Sequence, residues 1–228
     1  LTRKLLRDRR WPQCWRLHWV HGLFKKNSKA SGKNYRGVHL TPQLSKVVER
    51  AVGSLFIPWL EQTKAFGPHQ YAYGKGKGYK DVLTVNTCNW ILLLELGFLI
   101  GVYCSDVAGA FDRVSFERLC AKLQRLGLYV LGFLVSWLEE RTSQVVLGGS
   151  ASETEPLANS VYQGTVLGPP LWNTFFADAR LAVEKHGFTE TVFADDLNAW
   201  IAFPTDPRPI DVSDLYRVQR ELHLWGSA

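Results

Sequence analysis

Thr191-Val192-Phe193-Ala194-Asp195-Asp196-Leu197-Asn198-Ala199-Trp200-Ile201-Ala202-Phe203 is the stretch on which the reading of this 228-residue chain turns. Apolar residues flank a central Ala194-Asp195-Asp196, which predicts two strands joined by a tight acidic turn. Adjacent carboxylates beside apolar strands repel each other. A divalent cation relieves that repulsion, and Mg²⁺ favours carboxylate oxygens, water and substrate phosphate. Upstream, Phe98 to Cys104 is a continuous apolar run after Gly97, which predicts a buried strand leading to Asp106. Pairing of the hairpin beside that strand would bring three carboxylates to one sheet edge, an arrangement that can hold two metals for in-line phosphoryl chemistry. The competing role is a solvated Asp-Asp turn.

The remaining signals are local. Arg3 to Val20 reads as a basic helix with Leu and Trp on one side, followed by a lysine-rich loop from Lys25 to Asn34. Thr41-Pro42 starts a helix carrying Leu44, Val47, Val48, Ala51, Val52 and Leu55, which Pro58 ends or kinks. Gly74, Gly76 and Gly78 alternate with Lys75 and Lys77 in a second basic loop, and a helix follows over Asp81 to Leu96. Ser115 caps a helix that Gly127 closes, with Asp112 just ahead of it. Ser143 to Leu147 reads as a strand, Thr174 to Lys185 as a helix, and Leu215, Val218, Leu222 and Trp225 mark a last helix. Helices alternating with a few strands put the chain in the α+β class.

Composition bounds the function. Apolar residues are 46% and charged residues 21%, which excludes a disordered chain, a collagen or a coiled coil. The longest apolar stretch, Trp90 to Tyr103, contains Glu95 and falls short of the roughly 18 residues that span a bilayer, so no membrane partner is expected. Residues 1–50 hold 13 Lys and Arg against 2 acidic residues, whereas the rest hold 14 against 19. A basic front on an acidic body points to a polyanion, or else to a solvated basic face. Four Cys with no C-x-x-C pair suit a reducing, intracellular compartment, the nucleus among them. The absence of Met and the basic start suggest a piece of a longer chain, cut at both ends. Cys14, His18 and His21 are spaced to share a helical face, which suits zinc or simple packing against Trp15 and Trp19.

Several blocks then line up in order. Leu23-Phe24-Lys25-Lys26, Asn34-Tyr35-Arg36-Gly37-Val38-His39-Leu40 and Leu44-Ser45-Lys46-Val47-Val48-Glu49-Arg50 come first, followed by Gln70 to Leu83. Next come Asp106-Val107-Ala108-Gly109-Ala110-Phe111-Asp112, the Trp137, Arg141 and Gln144 stretch, Gln163-Gly164-Thr165-Val166-Leu167-Gly168-Pro169, and Phe193-Ala194-Asp195-Asp196. In this order they resemble the reverse transcriptases, particularly those of non-LTR (LINE-like) retrotransposons, from about Trp15 to Phe203. Departures are Tyr162 for the family's Pro, Thr165 for Ser, Pro170 and Trp172 for Leu and Phe, and Gly37 for Pro.

The resemblance implies a polymerase palm, a small antiparallel sheet backed by helices, with mainly helical and loop fingers elements and no thumb. Residues 1–98 would be the fingers region with its basic segment and 99–228 the palm, with fingers elements interleaved around 115–160. It implies RNA-directed DNA polymerase activity with two Mg²⁺ (or Mn²⁺) on Asp106, Asp195 and Asp196. Asp112 stays outside that set as a structural residue. Lys25 or Lys26, Arg36, Phe111, Gln163 and Gly164 would meet the nucleotide, with Phe111 rejecting the ribose 2′-OH. Lys33, Lys75 and Lys77 would hold nucleic-acid backbone. The implied partners are an RNA template, a DNA primer and deoxynucleoside triphosphates, with oligomeric state open. A group II intron maturase-like enzyme and a decayed copy that only binds nucleic acid are the alternatives, and Phe111 argues against an RNA-dependent RNA polymerase.

Overall fold

The acidic hairpin forms as the alternation predicts in the computed structural model, which describes residues 1–157, 161–206 and 209–227. In chain order the elements begin with α1 (Thr2–Asp8), β1 (Leu17–Phe24), β2 (Tyr35–Leu40), α2 (Gln43–Gln62), α3 (Tyr79–Glu95) and β3 (Leu99–Ser105). There follow α4 (Phe116–Arg125), α5 (Leu131–Leu138), β4 (Arg141–Leu147), β5 (Ser150–Ala151) and β6 (Glu155–Leu157). The last are α6 (Gly168–Phe176), α7 (Leu181–Glu184), β7 (Thr189–Phe193), β8 (Asp196–Phe203) and α8 (Pro209–Ser227). The mixture of helices and sheets is α+β. The chain forms two compact units, each made of two segments: unit 1 is Leu1–Thr63 with Gly109–Phe175, and unit 2 is Lys64–Ala108 with Phe176–Ala228. The expected boundary near residue 98 falls inside the first segment of unit 2.

Unit 1 is organised by a sheet in the order β2-β1-β4-β5, with β6 also on β4. β1 runs antiparallel to β2 and parallel to β4, with Leu17 opposite Thr142. This corrects one expectation: the basic helix over Arg3 to Val20 stops at Asp8. Arg9 is left-handed and Pro12 cannot continue a helix, so the chain turns and Leu17 to Phe24 find strand partners far along the sequence. The change of element also removes the zinc face. His18 is buried and His21 is exposed, because odd spacing on a strand puts them on opposite faces, and Cys14 is an exposed free thiol.

Pro58 does not end α2, which runs on to Gln62. A proline inside a helix costs about 3 kcal/mol. Phe56 and Leu60, on either side of it, are fully buried, and each such burial is worth about 1.5–3 kcal/mol, enough to hold the helix together. At α4 the local signals are enough: the Ser115 hydroxyl accepts from Arg118 N, and Gly127 takes positive φ just past the end. Trp11, Trp15, Phe133 and Trp137 meet edge to face in the core.

Unit 2 carries a three-stranded antiparallel sheet in the order β3-β8-β7. β3 is an edge strand. None of its residues is buried and Leu99 is 43% exposed, so the apolar run expected to be buried on both faces is not. Its apolar character serves pairing with β8, where Leu99 opposes Phe203 and Ser105 opposes Leu197. The helix expected over Thr174 to Lys185 is broken into the end of α6 and the short α7, with turns between. Among the described residues no helix is long and apolar enough to cross a membrane.

Candidate active site

In unit 2, β7 and β8 are joined by a two-residue turn, Ala194-Asp195, closed by the pair Phe193 and Asp196. The register of β3 on β8 ends with Ser105 opposite Leu197, so Asp106 follows at the sheet end where β8 begins with Asp196. Burial, and then the Asp106 charge, push the Asp196 carboxyl above the ordinary aspartate range. Asp106 and Asp196 are exposed at the sheet end and Asp195 is half-buried in the turn. Among the described residues no three His, Cys, Asp or Glu side chains converge as a ready-made metal cage. The donor set still fits Mg²⁺. That ion keeps several waters and is held by one or two carboxylates plus substrate phosphate, and mutually repelling aspartates are its usual anchor.

The turn is held from behind by Gln70, the first residue of the Gln70 to Leu83 block, for which the sequence alone suggests no role. The Gln70 side-chain amide donates from Nε2 to Ala194 O (3.3 Å) and accepts at Oε1 from Ala194 N (3.0 Å) and Ala72 N (3.0 Å). Main-chain bonds tie the same segment to β7, from Tyr71 N to Val192 O and from Val192 N to His69 O. The buried Glu190 carboxylate is 2.9 Å from His69 Nδ1.

In unit 1 the Gln163–Gly168 loop is fitted to close backbone approach. Gly164 has φ +105°, and a Cβ there would sit 2.7 Å from His39 O. A Cβ at Gly168 would sit 2.6 Å from Tyr162 O. His39 N donates to Gln163 O (2.8 Å), so β2 and the loop are bonded to each other. Glu49, fully buried on α2, accepts from Val166 N (2.7 Å) and Leu167 N (3.3 Å). Desolvation raises its pKa against those two bonds. A carboxylate on the apolar stripe of a helix, beside Val48 and Val52, signals burial but not which groups it would bind. Phe111 is buried and stacks on Trp172 with centroids 5.7 Å apart and planes 18° apart. The larger indole in the family's Phe position therefore backs the Phe111 ring.

Beneath the loop lies a buried polar cluster. Arg141, 1% exposed, donates Nε to Trp137 O (2.5 Å) and Nη1 to Trp15 O (3.0 Å) and to His18 Nε2 (2.8 Å). Because arginine only donates, His18 carries its proton on Nδ1 and donates it to His39 Nδ1 (3.1 Å). The guanidinium also packs on the Trp11, Trp137 and Tyr162 rings. Tyr162, standing for the family's Pro, is thus a member of this cluster and donates its hydroxyl to Leu138 O.

The basic residues are exposed. Lys25, Lys26 and Lys33 sit in and beside the β1–β2 loop, and Arg36 is on β2 opposite Leu23. Lys25 lies close enough to Asp112 to oppose the rise in that carboxyl's pKa, which burial dominates. Lys75 is exposed in its glycine loop. Lys77 folds back, with Nζ 3.4 Å from Gln70 O and over the Tyr71 ring.

Comparison with known proteins agrees with the reading. Residues 24–225 match the family described as reverse transcriptase (RNA-dependent DNA polymerase). The chain is 31% identical over 194 residues to the RNA-directed DNA polymerase from mobile element jockey of Drosophila melanogaster, covering 81% of this chain and 21% of that protein. It is 29% identical to the probable RNA-directed DNA polymerase from transposon BS of the same species, covering 76% of this chain and 19% of the relative. The chain therefore spans about a fifth of the length of these relatives. In fold it resembles apo telomerase from Candida tropicalis (TM-score 0.64, 12% identity, 95% of this chain and 48% of that one). It also resembles telomerase from Candida albicans in complex with a fragment of telomeric RNA (TM-score 0.59, 14% identity, 92% and 42%).

Proposed function

The chain belongs to the reverse transcriptase (RNA-dependent DNA polymerase) family, and on that premise we propose that it forms the polymerising core of an RNA-directed DNA polymerase of a non-LTR retrotransposon. The reaction is templated nucleotidyl transfer. A primer 3′-OH attacks the α-phosphate of a deoxynucleoside triphosphate, pyrophosphate leaves, and RNA is the template. The observation that carries this reading is the gathering of Asp106 and Asp196 at one sheet end, where the charge of the first acts on the carboxyl of the second, beside the acidic turn. Asp106 and Asp195, with Asp196 beside them, would hold two Mg²⁺ (or Mn²⁺), which when bound make the primer hydroxyl a better nucleophile and offset charge on the phosphates.

The remaining roles belong to side chains and backbone. Arg36 offers a guanidinium fork to the triphosphate. Lys25, whose charge acts on Asp112 next to Phe111, is preferred to Lys26 as its helper. Gly164 keeps the Gln163 loop free of a Cβ where nucleotide and template approach. Lys33, Lys75 and Lys77 contact nucleic-acid backbone, with Lys77 first leaving the Tyr71 ring.

Phe111, fixed by its stack on Trp172, excludes a ribose 2′-OH. Phe111→Val is expected to raise incorporation of ribonucleotides relative to deoxyribonucleotides by roughly tenfold or more. Phe111→Ala does the same at a stability cost of about 3–5 kcal/mol. Unchanged sugar selection by Phe111→Val in a primer-extension assay removes the gate from the proposal.

The function itself is tested by extension of a DNA primer on an RNA template, using the longer protein that contains this chain. Expected are products with deoxynucleotides and Mg²⁺, and none after chelation. Tight hybrid binding without any extension would instead identify a binding remnant.

A further inference from the structure

Ala194 opens the acidic turn at φ 59°, while Asp195 is not among the residues of positive φ. Positive φ at the first central residue alone is the pattern of a type II′ hairpin turn, whose first position favours glycine. An alanine there is strained and persists only where its surroundings fix it. What fixes it is an amide. Gln70 engages both main-chain polar groups of Ala194, as a neighbouring strand would, and its Oε1 also takes Ala72 N. Gln70 is buried, and its own backbone forms an isolated parallel bridge with Val192 of β7. The clamp and the strand it clamps are therefore one rigid piece. The Asn86 and Thr191 side chains, hydrogen-bonded at 2.9 Å, fasten the same strand to α3.

We propose that Gln70 is the positioning residue of the acidic turn: its amide holds Ala194 in the strained conformation and so sets the direction in which Asp195 and Asp196 present their carboxylates beside Asp106. The role rests on the proposed reaction for its use, but not for its existence, because the clamp is a property of the turn.

The test is a double-mutant cycle between Gln70→Met, which keeps the bulk and removes all three bonds, and Ala194→Gly, which removes the strain the clamp opposes. The readouts are Mn²⁺ binding followed by electron paramagnetic resonance, hydrogen exchange of the residue-194 amide, and kcat and KM of primer extension. Gln70→Met is expected to weaken Mn²⁺ binding by about 10–100-fold, to lower kcat more than it raises KM, and to speed exchange at residue 194. In the Ala194→Gly background the same substitution is expected to cost at least about threefold less, because glycine adopts the turn without help. Equal losses in both backgrounds, with residue-194 exchange unchanged, overturn the proposal and make Gln70 a packing residue. Gln70→Glu keeps the two accepted bonds and loses the donated one. It serves if Gln70→Met does not fold, with an intermediate increase in exchange supporting the clamp and unaltered exchange refuting it. If the unsubstituted protein neither binds Mn²⁺ nor extends a primer, the proposed reaction fails, and the exchange rates alone still decide the clamp.

Discussion

In the longer protein that contains this chain, Asp106→Asn is expected, on the proposed reaction, to lower templated primer extension by roughly 10³-fold or more while the melting temperature stays the same or rises slightly. The two effects separate because they come from different properties of one carboxylate. Asn matches Asp in shape, so β3 and its pairing with β8 are undisturbed. What changes is charge. Asp106 is exposed and its charge is one reason that the Asp196 carboxyl is pushed up, so removing it relieves a repulsion in the resting protein. The relief is small, since solvent screens charges at this surface. On the proposed reaction the catalytic loss is large, because a neutral amide oxygen would bind a divalent cation far less well than a carboxylate, and several kcal/mol of transition-state stabilisation would go with it. Melting curves and single-nucleotide extension rates for the Asp106→Asn and unsubstituted proteins, measured side by side, check both halves. Retained extension would remove Asp106 from the proposed ligand set, and a collapsed melting curve would make its role structural.

Acidification from pH 7 to pH 5 is expected to cost unit 1 about 4 kcal/mol through His18 and His39 alone. Both imidazoles are buried. Burial first, then the Arg141 charge, lowers His18 to about 2 and His39 to about 4, with His39 adding to the effect on His18. In the unfolded chain both take a proton near 6.5. The unfolded state thus binds more protons as pH falls, and the folded state is the one that loses. The stability tied to these groups is fully present above pH 6.5 and is lost progressively down through pH 4 and then 2. At pH 5 each imidazole has lost about 2 kcal/mol, and most carboxylates have not yet begun to contribute. The hydrogen bonds explain why neither ring can simply accept the proton. His18 Nε2 already faces the Arg141 guanidinium, and a second cation there would have no acceptor. Urea denaturation at pH 7 and 5 measures the loss. Replacing both residues, as His18→Phe with His39→Phe, should flatten that interval, whereas a flat interval in the unsubstituted protein contradicts the neutral pair.

The parts of the fold written in nearest neighbours were the legible ones. The acidic hairpin, the Ser115 cap and the Gly127 stop each depend on a few adjacent residues, and each forms as read. β1 was read as helix because Leu and Trp recur at a helical spacing near the basic start. Its strand partners lie on β2 and on β4, well outside any local window. β3 was misplaced for a related reason: an apolar run does not reveal whether its sheet continues on both sides. Among site residues, the aspartates were legible because their motif is contiguous. Gln70 and Glu49 were not, since they act on Ala194 and on Val166 from positions 124 and 117 residues away. The Cys14, His18 and His21 spacing misled because it assumed the helix, and on a strand His18 turns inward to Arg141 instead.

The parallel pairing of β1 with β4 has a consequence for biosynthesis. Leu17 leaves the ribosome about 125 residues before its partner Thr142, which at roughly 5–20 residues per second is a wait of roughly 6–25 s. During that time β1 has only the β2 hairpin, and its other edge, with Trp19 and Val20 still awaiting Gln144 and Val145, is open to any passing strand. All of the first segment of unit 2 is translated within that interval, before unit 1 can close. The nascent chain thus carries a sticky ribbon until β4 has emerged. Holdase chaperones should engage it between the emergence of Phe24 and that of Leu147, and slowed translation across β4 should increase the insoluble fraction more than the same pause placed in α8.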